Sequence, residues 1–158
     1  MSLTVKTGVL IGVLCAAWTY VMGFTGWYRD PTLQAAFFVV ILIEVALLLW
    51  GLRQTASANT YGRQVITGTT MAIIAAGVIF VNSLIFTMVV FPNYFSDLEQ
   101  AYRRILAEQG KSESEIAEAI AQQASVQTPF IQAMSGAVGT IVTGLVASLL
   151  LAIRYRRR

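Results

Sequence analysis

Apolar residues fall along this chain in long continuous runs, not in the one-faced or alternating patterns of a soluble domain. Four runs stand out, at about 7–28, 33–52, 65–91 and 130–153. Each is on the order of the 20 residues a helix needs to cross a bilayer core. Short polar links separate them, apart from one long polar stretch, Pro92–Pro129. The pattern predicts an all-α integral membrane protein, one membrane domain over 1–158. Its four transmembrane helices form a bundle, with an extramembrane helical hairpin at about 96–125 between helices 3 and 4.

The first run follows Lys6, as the apolar core of a signal peptide follows a basic start. No small-x-small cleavage pattern comes after it, and aromatic Phe24, Trp27 and Tyr28 stand where cleavage would fall. Leu14, before Cys15, also breaks the lipoprotein pattern, so a retained helix is expected. Arg29-Asp30-Pro31 forms a tight connection, because proline disfavours helix at the residue before it. The third run is long enough to tilt or protrude. Small residues recur at spacings of three and four: Gly8 and Gly12 in the first run, and Gly136, Gly139, Thr140, Gly144 and Ser148 in the last. Those spacings share one helix face, and such seams let backbones approach closely in lipid. Packing inside the bundle is the first expectation, and a homo-oligomer or larger membrane complex the second.

In the polar stretch, Ser96-Asp97-Leu98-Glu99 and Ser112-Glu113-Ser114-Glu115 both read as capping boxes. Gly110 suits the end of the helix between them. The two helices offer Leu98, Ala101, Tyr102, Ile105 and Leu106, then Ile116, Ala119, Ile120 and Ala124, as apolar faces. That is too little for an independent domain, so the hairpin is expected to lean on the bundle.

Composition and charge place this architecture in a membrane. The chain is 56% hydrophobic and 12% charged, with a mean hydropathy of +0.67, where globular proteins carry roughly 25% charged residues. Lys6, Arg53, Arg63, Arg154, Arg156, Arg157 and Arg158 lie on one side of the four runs with no acid among them. Asp30 and the acids of 92–129 lie on the other. The positive-inside rule puts both termini in the cytoplasm and the 92–129 loop outside. In a bacterium this is a multi-pass inner-membrane protein with a periplasmic loop. The bilayer is the expected partner, with Arg154, Arg156, Arg157 and Arg158 at anionic headgroups or acting only as a topology signal. The basic residues sit beside membrane segments, so no nucleic acid is expected.

Several punctuating motifs occur together: the Pro92-Asn93-Tyr94-Phe95 exit, an acidic helix, the Gly-Lys-Ser-x-Ser-Glu-Ile turn at 110–116, Thr128-Pro129 before a glycine-rich last helix, and Tyr61-Gly62 with Gly68. In these the chain resembles a bacterial family of uncharacterised four-helix membrane proteins, known as a domain of unknown function. The resemblance covers most of the chain and implies the topology. It brings no activity, cofactor or catalytic residue.

Candidate chemistry is sparse. The absence of histidine excludes His-ligated haem, His-based metal sites and Ser-His catalysis. The acids of 92–129 follow no EF-hand spacing, so no metal and no cofactor are expected. Glu44 alone is ionisable deep within a run, and a charge there costs roughly 2.5–3.5 kcal/mol. Its nearest neighbours on the helix face are apolar, so a partner comes from another helix: Asn82 or Ser83, Thr19, or Thr140 or Thr143. One role for Glu44 is a protonated, hydrogen-bonded acid fixing helix register. Another is an intramembrane proton or cation site. The expected function is a non-enzymatic accessory or scaffold subunit that presents the hairpin. The alternative is a small transporter or channel component using Glu44.

Overall fold

A backbone N–H or C=O without a partner is costly in lipid, so each apolar run closes its own hydrogen bonds as a helix. A computed structural model describes residues 1–30 and 32–156. Pro31 of the tight connection and Arg157 and Arg158 of the basic tail lie outside the described residues. Helix α1 spans Leu3–Thr25. It starts before the expected residue 7 because the Ser2 hydroxyl accepts the Val5 N–H at 3.3 Å. It ends before 28 because Gly26 takes the left-handed conformation, φ 74°. Trp27–Arg29 then forms a single 3-10 turn, so the aromatic end of the first run is connection, not helix.

The second span begins as a 3-10 turn, Gln34–Phe38, and continues as α2, Val39–Thr55. The third begins earlier than residue 65: α3 spans Tyr61–Ile85 and passes into a π-helical turn, Phe86–Val90. These 30 residues make a rod of about 45 Å, longer than the ~30 Å hydrocarbon core. Helix α4 spans Tyr94–Glu108 and α5 spans Glu113–Ala124. Helix α6, Pro129–Arg154, has the Thr128 hydroxyl accepting the Ile131 N–H and proline in its first turn. Among the described residues four helices are long and apolar enough to cross a membrane. Their outward faces expose Leu42, Ile66 and Leu150 by 64–68%, surface that only lipid would cover over such an area.

One of the two expected capping boxes forms. Ser112 and Glu115 exchange hydrogen bonds at the start of α5. Three donors, the Ser112 N–H first, then the Ser112 hydroxyl and Lys111, hold the Glu115 carboxyl down at about 2. Gly110 ends α4 with φ 76°. Ser96 caps nothing: α4 already starts at Tyr94, and the Ser96 hydroxyl donates to the Asn93 carbonyl within its first turn.

Helix α3 is the centre of the bundle, packed between α1 and α6, with α2 bridging those two on the far side. Small residues set the spacing. A β-carbon on Gly8 would stand 2.6 Å from the Met71 carbonyl oxygen, and one on Gly12 2.6 Å from Val78 Cβ. Gly68 is pressed against Ser148, and Gly144 against Ala72. The expected seam therefore holds α1 and α6 to α3 through Gly8, Gly12, Gly144 and Ser148. Two members depart from it: Gly136 meets only Ile79, at ordinary contact distance, and Gly139 meets no atom within 4 Å. The tight contacts enclose Ile11, Cys15, Leu48, Met71, Ala75 and Ala147.

At the end of the bundle that carries the chain termini, Gln64 is fully buried and fully paired. Its amide donates to the Leu52 carbonyl at 2.7 Å and the Tyr155 carbonyl at 2.6 Å, and its oxygen accepts from Thr55 and Asn59. One side chain thus ties the ends of α2 and α6 together. The glycine contacts carry a direct test. Gly8→Ala would have to displace backbone and cost about 1–3 kcal/mol by overpacking. Gly139→Ala meets open space and gains helix propensity. Thermal unfolding in detergent is expected to fall clearly for the first and stay level or rise for the second.

Candidate functional site

Glu44 lies at the middle of the span Gln34–Thr55 and turns inward with Leu48, Gly51 and Leu52. These positions recur at four, seven and eight residues, the single buried face of a helix. Glu44 is 3% exposed. Its Oε1 lies 2.9 Å from where a β-carbon on Gly144 would stand, so the missing side chain on α6 makes room for the carboxyl. That oxygen is sealed from solvent and meets no hydrogen-bond partner.

The helix register accounts for what surrounds it. A cavity of about 90 Å³ lies between Glu44 and the α4–α5 end of the bundle. Thr19, Asn82, Ser83 and Thr140, all expected near Glu44, line it together. Thr143 does not: it sits half-buried one turn further along α6. The Thr19 hydroxyl donates to the Cys15 carbonyl and the Thr87 hydroxyl to the Ser83 carbonyl. Each hydroxyl hydrogen is spent on its own helix, leaving the oxygen lone pairs as acceptors. The π-helical turn brings Phe86 and Thr87 into the wall, in keeping with the tendency of such turns to occur at functional sites.

Sequence reasoning passed over Gln132 and Thr87, both of which line the cavity. The signal for Gln132 was present. Gln132, Gly136, Thr140, Gly144 and Ser148 recur every four residues, one polar and small stripe down α6. Thr87 follows Ser83 by the same step.

A wider groove of about 570 Å³ lies between α4 and the start of the second span. It shares Met22, Tyr28, Phe37, Tyr94 and Gln132 with the inner cavity, so the two spaces adjoin. Phe38, Leu98, Tyr102 and Ile105 form most of its apolar wall. Helix α4 is fastened above it by one polar knot. The Tyr28 hydroxyl donates to Asp97 Oδ2 at 2.6 Å, and Arg29 Nη2 donates to the same oxygen at 2.6 Å. The Tyr94 ring lies 4.9 Å from that of Tyr28, and Phe91 and Phe86 complete an aromatic floor. The Tyr28 hydroxyl, then Arg29, holds the Asp97 carboxyl below the usual carboxylate range. Burial pushes the Tyr94 hydroxyl up to about 12. The fifth helix packs chiefly on α4, through Leu106, Ile116 and Ile120.

The basic candidates stand apart, at the other end of the bundle. Arg154 and Arg156 are exposed there, with Arg156 over the Tyr61 ring and Arg53 over the Tyr155 ring. Among the described residues no three His, Cys, Asp or Glu side chains gather where they could hold a metal ion.

A family model described only as a protein of unknown function matches residues 6–157. No curated protein and no solved structure matches the chain.

The Asp97 knot makes fastening of α4 acid-sensitive. Asp97 has a depressed folded pKa, so its contribution is complete above the unfolded value near 3.8 and is lost as pH falls through the lower folded one. Hydrogen exchange of α4 amides, corrected for intrinsic rates, is expected to accelerate as pH drops below about 4. Asp97→Asn should exchange fast at neutral pH and lose that dependence.

Proposed function

Because the chain belongs to the DUF4199 family of proteins of unknown function, which assigns it no chemistry, we propose a role from the site itself: a non-enzymatic small transporter or channel component with Glu44 as its intramembrane proton or cation site. The observation that carries this reading is the Glu44 carboxyl, buried with its Oε1 unpaired, beside a cavity that several polar side chains line and that adjoins an open groove. A register-fixing acid would be hydrogen-bonded to a neighbouring helix, since an unpaired buried polar group costs about 1–3 kcal/mol. Ser148 in the seam also keeps its small hydroxyl buried and unpaired, but Gln64, the other long polar side chain of the core, uses every donor and acceptor. Glu44 is the opposite case. In a bacterial inner membrane with termini inside, the groove and the α4–α5 hairpin would face the periplasm.

Proton flux tests the reading. Proteoliposomes holding a pH-sensitive dye and given a potassium diffusion potential should take up protons faster than protein-free liposomes. Glu44→Gln is expected to return the rate to the protein-free level. Equal flux in the two proteins would overturn the assignment.

A second reading, an accessory or scaffold subunit, draws on the hairpin. The outward side of α5, with Glu113 and Glu118, is exposed and is held to the rest mainly through α4. A photo-crosslinker at Glu118 in native membranes should then give one discrete adduct. A chain that runs as a lone monomer with no adduct would remove that reading.

A further inference from the structure

The walls of the two adjoining spaces select a ligand chemistry. Among the residues lining either one, Glu44 is the only acid and there is no lysine or arginine. Arg29, next to the Tyr28 that lines both spaces, is engaged by Asp97. The inner cavity therefore suits a positive charge. Its oxygens include the Glu44 carboxyl and the Thr19 and Thr87 hydroxyls, whose hydrogens already point at backbone carbonyls; Asn82, Ser83, Gln132 and Thr140 line it too and can each turn an oxygen to the ligand. An ammonium head presents three donors and no acceptor, matching that set. The rings of Phe37, Phe86, Tyr28 and Tyr94 line the same space, and aromatic rings attract a cation placed over their faces. A bare metal cation would instead need a shell of oxygens on all sides, which these rings do not supply.

Size divides the ligand in two. The inner cavity, about 90 Å³, holds a head of a few atoms. The groove, about 570 Å³ and walled in part by Phe38, Leu98, Tyr102 and Ile105, takes an apolar body, where each methylene removed from water adds to affinity. We propose that this protein binds an alkylammonium ion, its head at Glu44 and its hydrocarbon chain in the groove under α4. The proposal builds on the assignment of Glu44 as a cation site and adds the class of occupant. The same chemistry has two sources, a soluble amine or the amine headgroup of a bilayer lipid.

The full chain in phosphatidylcholine nanodiscs, titrated calorimetrically against matched discs without protein, gives the test. Octylammonium is expected to bind saturably, with octanol and octanoate showing no binding above the discs alone. Glu44→Gln should weaken octylammonium about tenfold or more. Leu98→Trp, which narrows the groove and leaves the carboxyl in place, should weaken octylammonium while methylammonium binds as before. Competition by phosphatidylethanolamine in the discs would identify the lipid amine as occupant, and its absence the soluble one. If octanol binds as well as octylammonium, or affinity is independent of chain length and unaffected by Leu98→Trp, the alkylammonium proposal is overturned. Loss of proton flux in Glu44→Gln would then still stand for the broader site. If Glu44→Gln changes neither binding nor flux, both fail together.

Discussion

Lipid tails are as apolar as the helices they surround, so burial alone does not hold this bundle together and backbone proximity must. That proximity is concentrated on α3. Gly8 and Gly12 bring α1 against Met71, Ile74 and Val78, and Gly144 and Ser148 bring α6 against Ala72 and Gly68. Dispersion at such range is what replaces the hydrophobic drive. Toward the α4–α5 end the close contacts of α6 with α3 give out: Gly136 touches only Ile79, while Gly23 of α1 is packed by the rings of Phe86 and Phe91 and the wall there includes Met22 and Tyr94. The helices there are spaced by large side chains, and the cavity is the space left where the close seam ends. Glu44 sits at that transition, its carboxyl admitted by the last tight glycine of α6, Gly144.

Two buried polar side chains show how the bundle treats polarity at low dielectric. Gln64 is surrounded by partners from α2, the following link and α6, and it closes the end that carries the termini. A fully satisfied group of this kind rigidifies and specifies a core. Glu44 meets no partner on any helix, and the polar atoms near it belong to a cavity wall. The same physical cost is thus met by a clasp at one level of the bundle and left unmet, beside a cavity, at another.

The α4–α5 pair is attached by a different logic. Its inner helix is tied by Tyr28, Arg29 and Asp97 above a layer of packed aromatic rings, while α5 packs chiefly on α4. Attachment along one helix only leaves the groove beneath α4 open, and that groove adjoins the cavity through Tyr28, Phe37 and Tyr94. The polar stretch between the third and fourth spans thus roofs the groove that adjoins the Glu44 cavity, as well as forming an exposed surface.

What the sequence determined by itself was the set of elements and much of their punctuation. Apolar runs of membrane length must become helices, because lipid offers the backbone no other partner. The Ser112–Glu115 box and Gly110 act through groups three or four residues apart, so their roles were legible locally. So was the cost of Glu44, a property of depth in one run. Ser96 misled because the helix already starts at Tyr94, with Asn93 before it, which puts Ser96 inside the first turn. The tertiary structure alone decided which neighbours each position meets. Sequence spacing groups Gly139 with Gly144 and Thr143 with Thr140, yet Gly144 and Thr140 face the interior, Gly139 lies open and Thr143 is only half-buried. A helix face is fixed by its own periodicity, but what lies opposite depends on the rotation of another helix set by distant contacts. For the same reason the partners of Gln64, the Arg29–Asp97 knot and the unpaired carboxyl of Glu44 could be seen only once the helices were placed together.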